Sequence, residues 1–160
     1  MSPLVDTSRF PTGAPTITYD DPEELAQFEE MRTEAARYVA SFPVAQPIET
    51  LTLAFGLAPI IALFLVRFTT PIARGEQTGE IELWVVVGDL PFMCFETENI
   101  TTPAIALQAY CAIAQDWADQ VMAGGDISEF YPIAVESTRE HAEMLLSRIE
   151  FIREQFVPLA

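Results

Sequence analysis

The chain contains no lysine: all eight of its basic residues are arginine, against 24 acids. The missing amine excludes Schiff-base chemistry, a phosphate-loop lysine and any lysine modification within this chain. The plain explanation, a coding preference for arginine, outweighs a functional one such as avoidance of lysine-directed conjugation. Base is scarce as well as uniform. At a net charge of −16 the chain offers no basic face for phosphate neutralisation, so direct nucleic-acid binding is excluded as an expectation. There is one histidine, His141, which rules out multi-histidine metal sites and histidine dyads. The two cysteines, Cys94 and Cys111, fall in apolar segments and read as free buried thiols, although spacing alone does not exclude a bridge. The familiar signatures GxGxxG, GxSxG, Walker A, CxxC and HExxH are all missing. No cofactor and no metal is expected, and an enzyme using one of those constellations is disfavoured.

A long uninterrupted hydrophobic run is also wanting. The nearest approach is "LTLAFGLAPIIALFLVRF", residues 51–68. A bilayer-spanning helix needs about 20 consecutive apolar residues, and Thr52, Gly56 and Pro59 interrupt this shorter one. Pro59 removes a backbone donor and restricts the residue before it, so a helix ends there. Pro47 at a first helical position and the apolar residues after it predict a short helix over 47–58. Residues 60–66, branched or aromatic and followed by a Thr-Thr-Pro turn signal, predict a buried strand. The run therefore reads as helix, break and strand. Together with the lack of a basic, apolar leader, it places the expected protein in the cytoplasm and off the membrane.

What the chain does have is half its residues hydrophobic, enough for a real core in one domain. Residues 1–19, with three prolines and little periodicity, predict an extended N-terminal arm, leaving 20–160 as a single α+β domain. Asp20-Asp21-Pro22-Glu23-Glu24 is a helix start, with capping carboxylates, proline in the first turn and acids at the positive end of the dipole. The helix runs to about Ser41 and buries Leu25, Phe28, Met31, Ala35, Tyr38 and Val39, with Glu23, Glu30 and Glu34 on the other side. "IELWVVV", residues 81–87, predicts a second strand joined to the first by a hairpin, and "FMCFET" after the GDLP turn predicts a third. The first two are apolar throughout, so both faces of the sheet are covered. Thr102-Pro103 opens a further helix that ends at Gly124-Gly125, and Ser137 to Glu140 fits a capping box for the last. The expected fold is a small three-stranded antiparallel sheet packed with about four helices, in the order ααβββαα.

Asp89, Cys94 and His141 are the leading candidates to carry chemistry. Asp89 follows a buried strand at a glycine turn, where rigid elements position functional acids, although aspartate is also ordinary turn chemistry. Cys94 and His141 could form a thiol–imidazole dyad if the fold brought them together, as could Cys111 and His141. A Ser137–His141 pair is weaker, because Ser137 serves as the expected cap and no orienting acid is placed. Asp116, Asp119 and Asp126 could bind a divalent cation, but acids on a polar helix face are ordinarily just solvated. Seven acids fall between Asp20 and Glu34. Of these, Glu23, Glu24, Glu30 and Glu34 would form a landing surface for a basic partner.

Leu83-Trp84-Val85-Val86-Val87-Gly88-Asp89-Leu90-Pro91, Tyr110-Cys111, Asp116-Trp117 and His141-Ala142-Glu143-Met144-Leu145 together resemble a group of small acidic bacterial proteins without an assigned function. The resemblance spans the C-terminal half to two-thirds of the chain. It implies a compact bacterial protein and carries over no catalytic residue. The leading expectation is a non-enzymatic acidic interaction module, such as an inhibitor, an immunity-type protein or an accessory subunit, whose partner has a basic surface. The rivals are a small enzyme or ligand-binding protein using Asp89, Cys94 or His141, and a nucleic-acid mimic with carboxylates at phosphate-like spacing. Broad apolar stripes further predict a homodimer whose interface includes the 47–58 helix or an open sheet face.

Overall fold

The structure, a computed structural model, describes residues 22–42, 47–70, 73–74, 77–78, 82–97, 99–125, 136 and 138–160. The expected arm at 1–19 lies outside the described residues. Helix α1 (Pro22–Ala40) leads into strands β1 (Ile48–Leu57) and β2 (Ile61–Phe68). A two-stranded ribbon follows, β3 (Ala73–Arg74) and β4 (Gln77–Thr78), then β5 (Glu82–Gly88) and β6 (Met93–Glu96). Helices α2 (Pro103–Met122) and α3 (Arg139–Phe151) complete the order, α3 running on through a π turn (Ile152–Phe156) and a 3-10 turn (Val157–Leu159).

The main sheet has the order β1-β2-β5-β6 with every neighbouring pair antiparallel. It has four strands where the proline pattern predicts three, and the described residues form three α-helices where about four are predicted. Both differences come from one segment. Residues 48–57 are strand β1, not a helix. Ile48, Thr50 and Thr52 are β-branched and lose side-chain freedom in a helix, and Leu51 is buried between the more exposed Thr50 and Thr52. Register breaks between Ile48 and Thr50 and between Leu53 and Phe55 interrupt the alternation that would have announced the strand. The second break also changes the face: Leu51 and Leu53 pack toward α1, whereas Ala54 and Phe55 pack toward α2 and α3.

Each strand then divides its side chains between two cores. Ala62, Phe64, Val66, Leu83, Val85 and Val87 meet Phe28, Met31, Ala35 and Val39 of α1. Ile61, Leu63, Leu65, Trp84, Val86, Met93 and Phe95 meet α2, α3 and the C-terminal turns. The continuous apolar character of β2 and β5 is thus explained as expected, by helices on both faces. Helices cover both faces of the sheet, and the 47–58 helix expected to carry the dimer contact is replaced by β1. At Gly56 a Cβ would overlap the ring of Phe28, so the glycine admits α1 to the sheet. The cap of α3 is Thr138, whose hydroxyl accepts from the His141 amide at 3.2 Å. The predicted cap, Ser137, lies outside the described residues. Among the described residues no helix is long and apolar enough to cross a membrane.

Candidate functional site: two clefts at the Gly88-Asp89 turn

β5 ends at Gly88, which takes φ +137°, and a Cβ there would collide with the backbone carbonyl of Ile60. Only glycine lets the β5–β6 turn approach the β1–β2 turn this closely. The contact is locked by the Asp89 N–H, which donates to the Ile60 carbonyl at 2.9 Å. Two tyrosines hold the rest of the turn: Tyr110 donates its hydroxyl to the Pro91 carbonyl at 2.8 Å, and Tyr38 donates to the Phe92 carbonyl at 3.3 Å. Burial pushes both phenols well above their ordinary pKa, so they act here as neutral donors. The GDLP segment is therefore a fixed ridge at one end of the sheet, tied to β1–β2, α1 and α2.

Asp89 stands exposed on that ridge and accepts from Arg148 Nη2 at 2.8 Å. With the side chains 73% and 46% exposed, this pair is worth about 0–1 kcal/mol and exchanges readily. A cleft of about 510 Å³ opens between the ridge and α3, lined by Asp89, Pro91, Phe92, His141, Met144 and Arg148. A second, of about 420 Å³, opens on the opposite side toward α1, lined by Glu30, Met31, Glu34, Pro59, Ile60 and again Asp89.

The structure thus brings Asp89 and His141 to one cleft. Cys94 is elsewhere: it is half-buried on β6 among the residues that face α1, and burial pushes its thiol up to about 11. That group is protonated at neutral pH and is a poor nucleophile. Cys111 sits in the core on the other side of the sheet, near the Ile149 carbonyl at 3.9 Å, and burial raises it to about 11 despite the opposing effect of Arg153. Both thiols are free, on opposite faces of the sheet.

His141 Nδ1 lies 3.1 Å from the Glu136 carbonyl and 2.9 Å from Thr138 Oγ1. A carbonyl only accepts, so Nδ1 carries the hydrogen, and in the neutral ring Nε2 is the lone-pair nitrogen. The histidine is bound up with the cap of its own helix, and its partners at Nδ1 are a carbonyl and a hydroxyl.

Among the acids, Glu23, Glu30 and Glu34 are exposed on α1, as the helical spacing predicts, while the side chain of Glu24 lies outside the described part of the helix. Glu30 and Glu34 reach the α1-side cleft. On α2, Asp119 accepts from Gln115 at 3.2 Å and Asp116 is exposed; Asp126 lies outside the described residues. Among the described residues, no group of three or more His, Cys, Asp or Glu side chains is placed to hold a metal ion. Sequence reasoning missed Arg148 as a partner of Asp89, since nothing local links residues 59 positions apart. It also missed Leu57 and Ile60, which are large, apolar and exposed around the β1–β2 turn. No family model, curated protein or solved structure matches the chain.

Proposed function

We propose that the chain is a non-enzymatic acidic interaction domain, of inhibitor, immunity or accessory type, whose partner presents a basic face. The observation that carries this reading is the convergence of Glu30, Glu34 and Asp89 at one end of the sheet, next to exposed Leu57 and Ile60. Carboxylates steer encounter, and desolvated apolar groups hold the complex once formed. The protonated state of both cysteines and the engagement of His141 Nδ1 with Glu136 and Thr138 favour this over nucleophilic catalysis. The test is capture from native lysate by the wild-type chain and by Glu23→Arg/Glu30→Arg/Glu34→Arg, with the recovered proteins identified. A basic protein retained by the first, eluted by salt and lost with the second supports the proposal. An identical recovery from both removes it.

A second reading, a small-molecule site, draws on Asp89 and His141 lining the α3-side cleft. It predicts that His141→Gln abolishes binding of that molecule without affecting partner capture.

Self-association belongs to the same proposal. The outer edge of β1, ten residues long and without proline, has no partner strand among the described residues. Such an edge invites pairing unless something covers it. A homodimer joined through residues 48–57 would give twice the 17.8 kDa chain mass in light scattering. A single chain mass at every accessible concentration would eliminate it.

A further inference from the structure

We infer that the Gly88-Asp89 ridge and its two flanking clefts form a bipartite docking groove for an extended protein segment that carries a basic side chain and, across the ridge from it, a bulky apolar one. This rests on the interaction reading above and specifies the surface and the chemistry of the segment it takes.

The two clefts share Gly88 and Asp89 as a common wall but differ in chemistry. On the α1 side, Glu30 and Glu34 stand four residues apart on one helix face. Asp89 lines the same cleft, and Pro59, Ile60 and Met31 supply its apolar surface. A guanidinium or ammonium fits that wall, with its methylene stem lying along Ile60, which is 37% exposed. On the α3 side the surface is mainly apolar, from Leu90, Pro91, Phe92, Met144 and Leu145, and Met144 is 61% exposed at its rim. A leucine, methionine or phenylalanine side chain fits there, and methionine suits a surface that adapts to it.

Charge decides the sign of the occupant. The cation of the α3-side cleft, Arg148, is already held by Asp89 at 2.8 Å. An anion would compete with that carboxylate and, at greater cost, enter the field of a chain of net charge −16. A cation on the α1 side moves with the field instead. Because the clefts share Gly88 and Asp89 as a wall, one extended segment crossing that ridge can place a side chain in each. The ridge between them is held in place by the amide of Asp89 and the hydroxyls of Tyr38 and Tyr110. Little ordering is therefore left for binding to impose on this side.

The experiment uses the full chain, labelled with nitrogen-15, and three synthetic peptides of about ten residues in a Gly/Ser background. One carries an Arg and a Leu a few residues apart, one has Glu for the Arg, and one has Ser for the Leu. The expected result is that only the Arg/Leu peptide shifts the amide signals of Ile60, Gly88, Asp89 and Met144. Its affinity should fall about tenfold in Glu30→Gln/Glu34→Gln and in Met144→Ser, whose folds are verified by circular dichroism. It should also fall as salt rises from about 50 to about 300 mM. Salt-sensitive binding with shifts confined to other surfaces would overturn the groove while leaving the interaction reading in place. Equal binding of the Glu peptide would overturn the charge assignment, and equal binding of the Ser peptide would overturn the apolar half. If none of the three binds but a polyarginine peptide does so in a salt-sensitive manner, the groove alone falls. If polyarginine does not bind either, the interaction reading falls with it.

Discussion

Gly88 is the residue on which the site geometry turns. Alanine there must adopt a backbone conformation that costs about 1–3 kcal/mol, and its Cβ meets the Ile60 carbonyl, which cannot rotate away. Gly88→Ala should therefore lose at least that much stability in urea denaturation and disturb the Asp89 amide signal. Gly124, at φ +71° with open space where a side chain would begin, should tolerate Asn with little loss. The buried thiols and phenols give a second residue-scale expectation. Cys94 and Cys111 ionise near 9 when unfolded and at about 11 when folded. Between those values the unfolded chain binds fewer protons than the folded one, so stability falls as pH rises. Tyr38 and Tyr110, raised by burial, extend the fall above pH 10. Urea midpoints measured from pH 7 to 11 should be level up to about pH 8 and then decline. A level profile throughout would mean that these groups are exposed.

At the scale of elements, α1 is the only described helix on its face of the sheet, and Phe28 is its deepest anchor, fully buried against Gly56. Phe28→Ala should cost about 3–5 kcal/mol in chemical denaturation. A cost below about 1 kcal/mol would mean that the helix is not docked there. Much of this layout was legible in the chain. Pro22 and Thr102-Pro103 mark helix starts, and the apolar runs of β2 and β5 announce two covered faces. The α1 stripe holds at Phe28, Met31, Ala35 and Val39. β1 was not legible, because its two register breaks erase the period-2 signal and Pro47 imitates a helix start. For the site, Asp89 and the acids Glu30 and Glu34 were readable from turn chemistry and helical spacing. Their meeting with Ile60 and Arg148 was not, since it depends on how two turns and two helices converge across the sheet.

For the whole molecule, 24 acids against eight bases mean that folding concentrates like charge. Added salt should raise the thermal midpoint of the free chain by screening that repulsion, while weakening any complex formed through Glu30 and Glu34. Opposite signs in the two measurements separate self-repulsion from partner attraction. A midpoint that falls between about 20 and 300 mM salt would mean that exposed pairs such as Arg67–Glu49 outweigh it. The connectivity has a temporal consequence as well. The sheet is a meander in which each strand pairs with one already made, but the core that α1 packs on includes residues as far along the chain as Val87. During synthesis at about 5–20 residues per second, α1 must wait roughly 2–10 s for that floor to be complete. The floor is laid in stages, with Gly56 of β1 under Phe28 first and β5 last, so part of the apolar face of α1 stays bare through that interval and the newborn helix is a natural client for a ribosome-associated chaperone.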